Sequence, residues 1–304
     1  MMFRAGAGAP GAGSAADVHF YCSSGGNAGL ACATSAAALG HRATIVVPLT
    51  TPAHMVAKLE DLGAEVVQVG SGWATADAHL RATFLADGPD GGEGRAAAVY
   101  VPPFDHPDIW DGAASLVEEL APLFPAGGAR AGRLDGIVCS VGGGGLLCGV
   151  MEGVQRVYAG RRGAAPTVLA VETAGAESLH ASVQAGELVT LPRITSVATS
   201  LGAARVAPRA LEWALRPGGG LISAVVSDAD AVSAAARFLD DARTLVEPAC
   251  GATIAPAYNG DLRRHLGAEL SDAEWATRNV VLVVCGGSNI SLEMLLGYKK
   301  RFGV

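Results

Sequence analysis

The stretch Ser140-Val-Gly-Gly-Gly-Gly-Leu146 links a predicted strand to a predicted helix and decides the fold class of this sequence. The apolar run Gly136–Val141 predicts a buried strand, and the pattern of Gly145–Tyr158 predicts a helix. The N terminus of a helix has unpaired N–H groups and partial positive charge, and glycine lets the backbone close around an anion. The stretch therefore predicts an α/β scaffold with a cradle for a phosphate group.

The glycine cluster by itself is weak evidence, because a tight turn with close helix packing also selects glycine. It lacks the Gly-Lys-Ser/Thr ending of a nucleotide P-loop, and Leu147 stands where a Gly-x-Gly-x-x-Gly pattern needs its last glycine. The acidic residue that should follow such a pattern by about 20 residues is also missing. An NAD-dependent Rossmann oxidoreductase is therefore a disfavoured alternative.

Two further loops have the same setting, after an apolar run and before a predicted helix. They are Cys-Ser-Ser-Gly-Gly-Asn-Ala-Gly at 22–29 and Val-Cys-Gly-Gly-Ser-Asn-Ile-Ser at 284–291. Taken singly, Ser24 or Asn27 could be an ordinary helix N-cap, and Cys285 a buried cysteine at a strand end. Ligands gather at the carboxyl ends of parallel strands, so three such loops predict a binding site more specifically than any one of them.

The remaining pattern alternates short Val/Ile/Leu runs with helical stretches, which is typical of parallel sheets covered on both faces. It predicts two doubly wound parallel-sheet domains. The small α/β domain would span residues 17–115, and the large cofactor-binding domain would span residues 116–304. Residues 1–16 are rich in Gly and Ala and are expected to form a disordered tail.

Composition argues against several other classes of protein. Half of the 304 residues are apolar and 17% are charged, which indicates a globular chain. The net charge is −7 and the basic residues are scattered, so neither a nucleic acid nor an anionic membrane is an expected partner. No apolar run is long enough to span a membrane. The six cysteines form no CxxC pair or Cys/His zinc spacing, and a reducing, cytoplasmic location is expected.

Several motifs, taken together, resemble one enzyme family. Besides the three loops they are Ala-Thr-Ile-Val-Val-Pro at 43–48, Pro-Phe-Asp-His-Pro-Asp-Ile-Trp-Asp-Gly at 103–112, Leu-Pro-Arg-Ile-Thr-Ser-Val at 191–197 and Val-Glu-Pro-Ala-Cys-Gly-Ala at 246–252. From about Val18 to Gly303 the sequence is similar to the L-serine/L-threonine dehydratases, or serine ammonia-lyases. These are fold type II (tryptophan synthase β-like) enzymes that use pyridoxal 5′-phosphate (PLP). The resemblance implies PLP as cofactor, an amino acid as substrate and a homodimer.

The resemblance also implies roles for individual residues. Asn27 would hydrogen-bond the 3′-oxygen of the PLP ring, and Cys285 would face the ring nitrogen. Five consecutive residues would bind the phosphate of PLP: Gly142, Gly143, Gly144, Gly145 and Leu146. The carboxylate of the substrate would be bound by Ser24, Asn27 and Ala28. A monovalent cation, potassium, would be bound by Glu172, Ala176, Ser178 and carbonyls near Leu201 and Ala203.

One element of the family pattern is not found. The family carries a Schiff-base lysine upstream of the serine-rich loop, in a Ser-Phe-Lys-x-Arg-Gly-type segment, and residues 1–17 contain no lysine. The lysines of the chain are Lys58, Lys299 and Lys300, and their predicted positions on helices do not suit the role. No catalytic residue is assigned, and the fold is expected to be N-terminally truncated.

The missing lysine leaves two hypotheses open, because that lysine takes the Cα proton of the substrate. In the first, the chain is a dehydratase whose lysine segment is lost from this sequence by an error in the gene model. Such an enzyme converts L-serine to pyruvate and ammonia, and L-threonine to 2-oxobutanoate and ammonia. In the second, the chain is a catalytically inactive homologue that binds PLP or an amino acid.

Overall fold

A computed structural model describes residues 18–86, 97–124, 133–160, 165–218 and 220–304. The chain divides after Pro103 into two compact units, each built on a parallel four-stranded sheet with flanking helices. The predicted fold class, two parallel-sheet α/β domains, is confirmed. The predicted tail at 1–16 lies outside the described residues. In the described ranges, no helix has both the length and the apolar character needed to cross a membrane.

The first unit has the strand order β3-β2-β1-β4. Its elements are β1 (Val18–Cys22), α1 (Asn27–Ala38), β2 (Arg42–Val47), α2 (Ala53–Asp61), β3 (Glu65–Gln68), α3 (Trp73–Phe84) and β4 (Ala97–Tyr100). Strand β2 is buried on both faces, with Ile45 and Val47 in one apolar cluster and Val46 in another. This double burial explains why β2 is a continuous apolar run rather than an alternating one.

The second unit has the strand order β7-β6-β5-β8. Its strands are β5 (Gly136–Ser140), β6 (Thr167–Thr173), β7 (Leu221–Val226) and β8 (Val280–Leu282). Its helices are α4 (Pro107–Leu120), α5 (Gly145–Tyr158), α6 (Ser178–Ala185), α7 (Pro208–Leu215), α8 (Asp228–Ala242), α9 (Pro248–Asn259), α10 (Asp261–Leu266), α11 (Asp272–Trp275) and α12 (Leu292–Phe302). Side chains alternate along β5, so that Val138 packs with α8 and α9 while Ile137 packs with α5.

Helix α4 belongs to the second unit because it packs closely against α5. A Cβ built at Gly149 of α5 would lie 2.4 Å from the Ala113 Cβ, and one at Gly153 would lie 2.8 Å from the Val117 Cβ. The predicted boundary at residue 115 falls inside this helix, whereas the chain divides between Pro103 and Phe104. The sequence pattern shows that α4 is a helix, but not against which helix it packs.

Candidate functional site

The four glycines after β5 are required by their surroundings. Gly144, the N-cap of α5, has φ +94°, in the left-handed region that favours glycine. A Cβ at Gly143 would lie 2.1 Å from the Phe104 Cγ, and one at Gly145 would lie 3.0 Å from the Phe104 carbonyl oxygen. At Gly142 a Cβ would approach the Ser200 carbonyl oxygen to 3.0 Å. Close packing therefore accounts for much of the glycine content, as the alternative interpretation of this loop held.

The same loop leaves a set of backbone donors available. Two of its carbonyls are engaged, since Gly143 accepts from the Ala207 N–H at 2.9 Å and Gly144 from the Cys148 N–H at 2.8 Å. Within the described ranges, no backbone carbonyl accepts a hydrogen bond from the N–H groups of residues 142–146. These donors open a 14-residue helix, so they offer an anion both hydrogen bonds and the positive end of a helix dipole. The loop therefore fits a phosphate group, as PLP requires.

The third loop, at residues 284–291, places the exposed thiol of Cys285 beside two hydrogen-bonding groups. Cys285 is exposed, whereas the other five cysteines are buried. The pKa of the Cys285 thiol is lowered to about 7, first by a hydrogen bond with the Cys250 thiol and also by one with Ser140, while burial acts against the shift. Cys250 in turn accepts a hydrogen bond from the Gly286 N–H at 3.4 Å. These hydrogen bonds favour the thiolate form of Cys285, a point that the sequence does not reveal.

This environment predicts how Cys285 reacts with iodoacetamide. The thiolate is the reactive form, so the rate should rise with pH with a midpoint near pH 7, instead of near pH 8.5 as for an ordinary thiol. Cys250→Ala removes the main hydrogen bond and should move the midpoint to higher pH. Peptide mass spectrometry of the apoprotein across a pH series measures this midpoint. A Cys250→Ala midpoint equal to that of the buried-thiol control Cys148→Ala would contradict the assignment.

Glu247 holds the third loop in place, a role that sequence reasoning missed. It is buried at 4% exposure, its N–H donates to the Gly286 carbonyl at 3.0 Å, and its Oε2 accepts from the Asn289 N–H at 3.2 Å. Asn289 also donates through Nδ2 to the Thr199 Oγ1 at 3.2 Å. The sequence did contain a signal for this role, since Glu247 is the one acidic residue of the otherwise apolar motif at 246–252. Buried acids occur almost only where they have hydrogen-bond partners.

The predicted cation ligands lie around the start of α6. The Glu172 carboxylate is fully buried and accepts from the N–H groups of Leu179 at 2.8 Å and His180 at 2.7 Å. Burial raises the pKa of Glu172 to about 8, and those two hydrogen bonds oppose the shift only in part. The Ser178 hydroxyl is buried without a hydrogen-bond partner in the described structure. A buried carboxylate next to an unsatisfied hydroxyl fits a cation that prefers oxygen ligands.

The other predicted cation ligands are less distinctive. Ala176 is fully buried, and Leu201 is 4% exposed with its carbonyl accepting from the Ala203 N–H at 2.8 Å. Among the described residues, no group of three or more His, Cys, Asp or Glu side chains could hold a metal ion. A cation here would thus have the single Glu172 carboxylate together with carbonyl and hydroxyl oxygens, which suits a monovalent ion better than zinc.

In the first unit, the loop after β1 leads directly into α1. Gly26 is the N-cap of α1 and the helix has no side-chain capping bond, so neither Ser24 nor Asn27 is the N-cap that the alternative interpretation required. The Ser24 Oγ accepts from the Gly26 N–H at 3.3 Å, and Ser24, Asn27 and Ala28 are partly exposed. A polar loop at the N terminus of a 12-residue helix can receive a carboxylate.

None of the three lysines lies in a loop at a strand end. Lys58 is an exposed residue of α2, and Lys299 and Lys300 lie in the last turn of α12. The basic residues of α12 are favourably placed there, because cations stabilise the negative end of a helix. Their positions are consistent with a structural role at a helix end.

Comparison with known proteins gives one consistent result. A family profile described as "Pyridoxal-phosphate dependent enzyme" matches residues 9–286. The chain is 45% identical over 287 residues to the L-serine dehydratase/L-threonine deaminase of Bos taurus, covering 94% of this chain and 81% of the relative. It is 49% identical over 286 residues to a Homo sapiens protein named serine dehydratase-like, covering 94% and 80%.

Solved structures agree with the sequence relatives. The crystal structure of a fungal L-serine ammonia-lyase from Rhizomucor miehei aligns with a TM-score of 0.78 and 34% identity. That alignment covers 94% of this chain and 83% of the fungal chain. The family profile, the relatives and the fold agree, and the chain therefore belongs to the family of pyridoxal-phosphate dependent enzymes.

Proposed function

We propose that this chain binds PLP and serves the dehydration of L-serine, and of L-threonine, to pyruvate or 2-oxobutanoate and ammonia. The observation that carries the proposal is the row of backbone donors at residues 142–146, which opens α5 and fits a phosphate. Relatives over 40% identical are named L-serine dehydratase/L-threonine deaminase, which supports the reaction and the substrates. The resemblance also supports a cytoplasmic homodimer, which light scattering and cell fractionation test.

The loops at 142–146 and 24–28 bind different groups in this proposal. The N–H groups of residues 142–146 hold the phosphate, and Ser24, Asn27 and Ala28 bind the carboxylate of the amino acid. Asn27 would also hydrogen-bond the 3′-oxygen of the cofactor ring. When bound, PLP supplies an electron sink for breaking a bond at the Cα of the amino acid. The amides of residues 142–146 would hold the phosphate in one position by hydrogen bonds and the helix dipole.

In this proposal, Cys285 sets how strongly bound PLP withdraws electrons. Ser140 and Cys250 hold its sulfur by hydrogen bonds, and the thiol would face the ring nitrogen of bound PLP. A thiol is a weaker acid than a carboxyl group, so Cys285 would stabilise a protonated ring nitrogen less than a carboxylate would. Such a partner would make bound PLP a weaker electron sink.

In the family, a lysine upstream of the serine-rich loop removes the Cα proton. Residues 1–17, which precede that loop here, contain no lysine. The observation behind the second candidate function, binding without turnover, is that all three lysines lie on α2 or α12. In that case the cradle still binds PLP, but the rate gained from a general base, about 10²–10⁴-fold, is lost.

A single set of measurements distinguishes these functions. Purified chain is titrated with PLP and with pyridoxal, followed by borohydride reduction, peptide mapping and a pyruvate assay with L-serine. PLP should bind about 10–100-fold more tightly than pyridoxal, because only PLP carries the phosphate that the cradle holds. A labelled lysine with pyruvate formation supports the dehydratase, and tight PLP binding with neither supports the inactive binder. NAD binding without PLP binding would overturn both.

Potassium binding is expected to stabilise the second unit. A ligand at 100 times its Kd contributes about 2.7 kcal/mol, and each kcal/mol raises Tm by about 2–4 °C. KCl should therefore raise Tm above its value in LiCl of equal ionic strength. Glu172→Gln and Ser178→Ala should lose this difference, whereas the exposed control Glu187→Gln should keep it. Equal Tm values in the two salts for the wild-type chain would count against a cation site.

A further inference from the structure

A buried polar cluster in the first unit lies outside the residues assigned so far. Asp77, in the middle of α3, is only 8% exposed. Its Oδ1 accepts from the Ser23 hydroxyl at 2.6 Å and from the Tyr100 hydroxyl at 2.6 Å. Its Oδ2 accepts from the Arg81 Nε at 2.7 Å, and the Arg81 guanidinium lies 4.2 Å from the centre of the Tyr100 ring. Three side chains thus converge on one carboxylate.

This cluster includes Ser23, which lies just before residues 24–28. Because the proposed function assigns those residues to the substrate carboxylate, they are called the carboxylate loop. Ser23 follows β1 directly, is fully buried, and immediately precedes Ser24. Tyr100, which ends β4, contacts the same carboxylate oxygen, so β1 and β4 are tied to α3 at their carboxyl ends. Short hydrogen bonds to an ionised carboxylate are among the strongest in proteins, so they hold Ser23 and Tyr100 in fixed positions.

The carboxylate is kept charged despite its burial. Burial by itself would raise the pKa of Asp77, but the hydrogen bonds from Ser23, Tyr100 and Arg81 outweigh it and lower the pKa. A charged acceptor at this site therefore persists throughout the neutral range. A buried carboxylate is normally found only where hydrogen bonds satisfy it. One of the groups that satisfy Asp77 is the Ser23 hydroxyl, next to residue 24.

From this geometry we infer that Asp77 is a positioning residue, which acts through Ser23 to fix the backbone of residues 24–28 for a substrate carboxylate. The inference rests on the proposed function for its substrate and on the cluster for its geometry. Asp77 itself does not belong to the loop, so it would affect amino-acid binding without contacting PLP phosphate. The effect should therefore appear in the affinity for L-serine and in the mobility of the loop.

The test compares Asp77→Ala and Ser23→Ala with the matched control Asp135→Ala in the full chain loaded with PLP. Asp135 is a similarly covered carboxylate of the second unit, with its side chain 13% exposed against 12% for Asp77, and it accepts from Arg278 at 2.9 Å. Hydrogen exchange of residues 24–28 is measured, together with the Kd of L-serine from the spectrum of bound PLP and the Kd of PLP.

Asp77→Ala should raise the exchange rate of the loop and the Kd of L-serine by about tenfold, the size expected for one lost hydrogen bond to a charged group. The Kd of PLP should rise less than that of L-serine, because Asn27 is the only residue of this loop assigned to PLP and residues 142–146 hold the phosphate. Because Asp77 acts through Ser23, the Asp77→Ala/Ser23→Ala double variant should show no larger effect than Asp77→Ala. Asp77→Asn, which keeps an oxygen for Ser23 and Tyr100, should restore most of the affinity.

The outcomes separate this inference from the proposed function. Loop exchange in Asp77→Ala equal to that in Asp135→Ala, or additive effects in the double variant, would overturn the positioning role. A wild-type chain that binds no PLP, or that binds PLP without responding to L-serine, would overturn the proposed function. Hydrogen exchange does not depend on substrate, so it still decides whether Asp77 fixes the loop.

Discussion

Replacing Gly143 by alanine is expected to weaken PLP binding by about 100-fold or more and to destabilise the chain by about 1–3 kcal/mol. The new Cβ would lie 2.1–2.4 Å from three carbon atoms of the Phe104 ring, so the ring or the loop must move. The Phe104 backbone is restrained because its carbonyl accepts from the Trp110 Nε1 at 2.9 Å. A displaced loop no longer directs its N–H groups at one phosphate, and the loss should be large.

Titration with PLP and thermal unfolding measure the two effects. Gly297→Ala is the control, because a Cβ at this position of α12 meets nothing within 4 Å, and alanine there should stabilise by about 0.5–1 kcal/mol. The double variant Gly143→Ala/Phe104→Ala removes the ring and should recover part of the PLP affinity. Unchanged affinity in Gly143→Ala, or no recovery in the double variant, would contradict the proposed role of this packing.

Gly29→Ala is expected to lower the affinity for L-serine by about 100-fold, with a loss of stability of about 1–3 kcal/mol. A Cβ at Gly29 would lie 1.9 Å from the Ser24 carbonyl oxygen and 3.2 Å from the Ile45 Cγ2. The closest atom belongs to the backbone of the carboxylate loop, and the Ile45 side chain is fully buried on the other side. The loop must therefore change conformation to admit the methyl group.

The Kd of L-serine, read from the spectrum of bound PLP, measures the effect. Gly72→Ala serves as the matched control in the same unit, because its φ of −162° is extended and a Cβ there meets nothing within 4 Å. That variant should bind L-serine like the wild type. If Gly29→Ala also binds L-serine like the wild type, the carboxylate loop has been assigned to the wrong residues.

Local signals predicted most elements of the fold. The apolar run at 136–141 predicted β5, which ends one residue earlier at Ser140, and α5 (Gly145–Tyr158) begins and ends at the predicted residues. The ends of other elements follow local chemistry. Helix α9 begins at Pro248, because proline is well suited to the first turn of a helix. Strand β8 ends at Leu282, shortly before Gly286 and Gly287 adopt positive φ.

The partners of the loops could not be predicted in the same way. Ser23 and Asp77 are 54 residues apart, and Glu247 and Asn289 are 42 residues apart. No local pattern links such pairs, because their contacts arise only when helices and strands distant in the chain pack together. The lowered pKa of Cys285 has the same origin, since one of its hydrogen-bond partners is on α9 and the other on β5.

By itself, the sequence determined the α/β class, the positions of three loops at strand ends, and the glycine-rich cradle at residues 142–145, because periodicity and glycine content are local properties. Only the tertiary structure decided that Gly143 packs against Phe104, that α4 belongs with α5, and that the buried Asp77 carboxylate accepts a hydrogen bond from Ser23. Those features depend on which surfaces bury one another, and burial sets both the close contacts and the shifts in pKa.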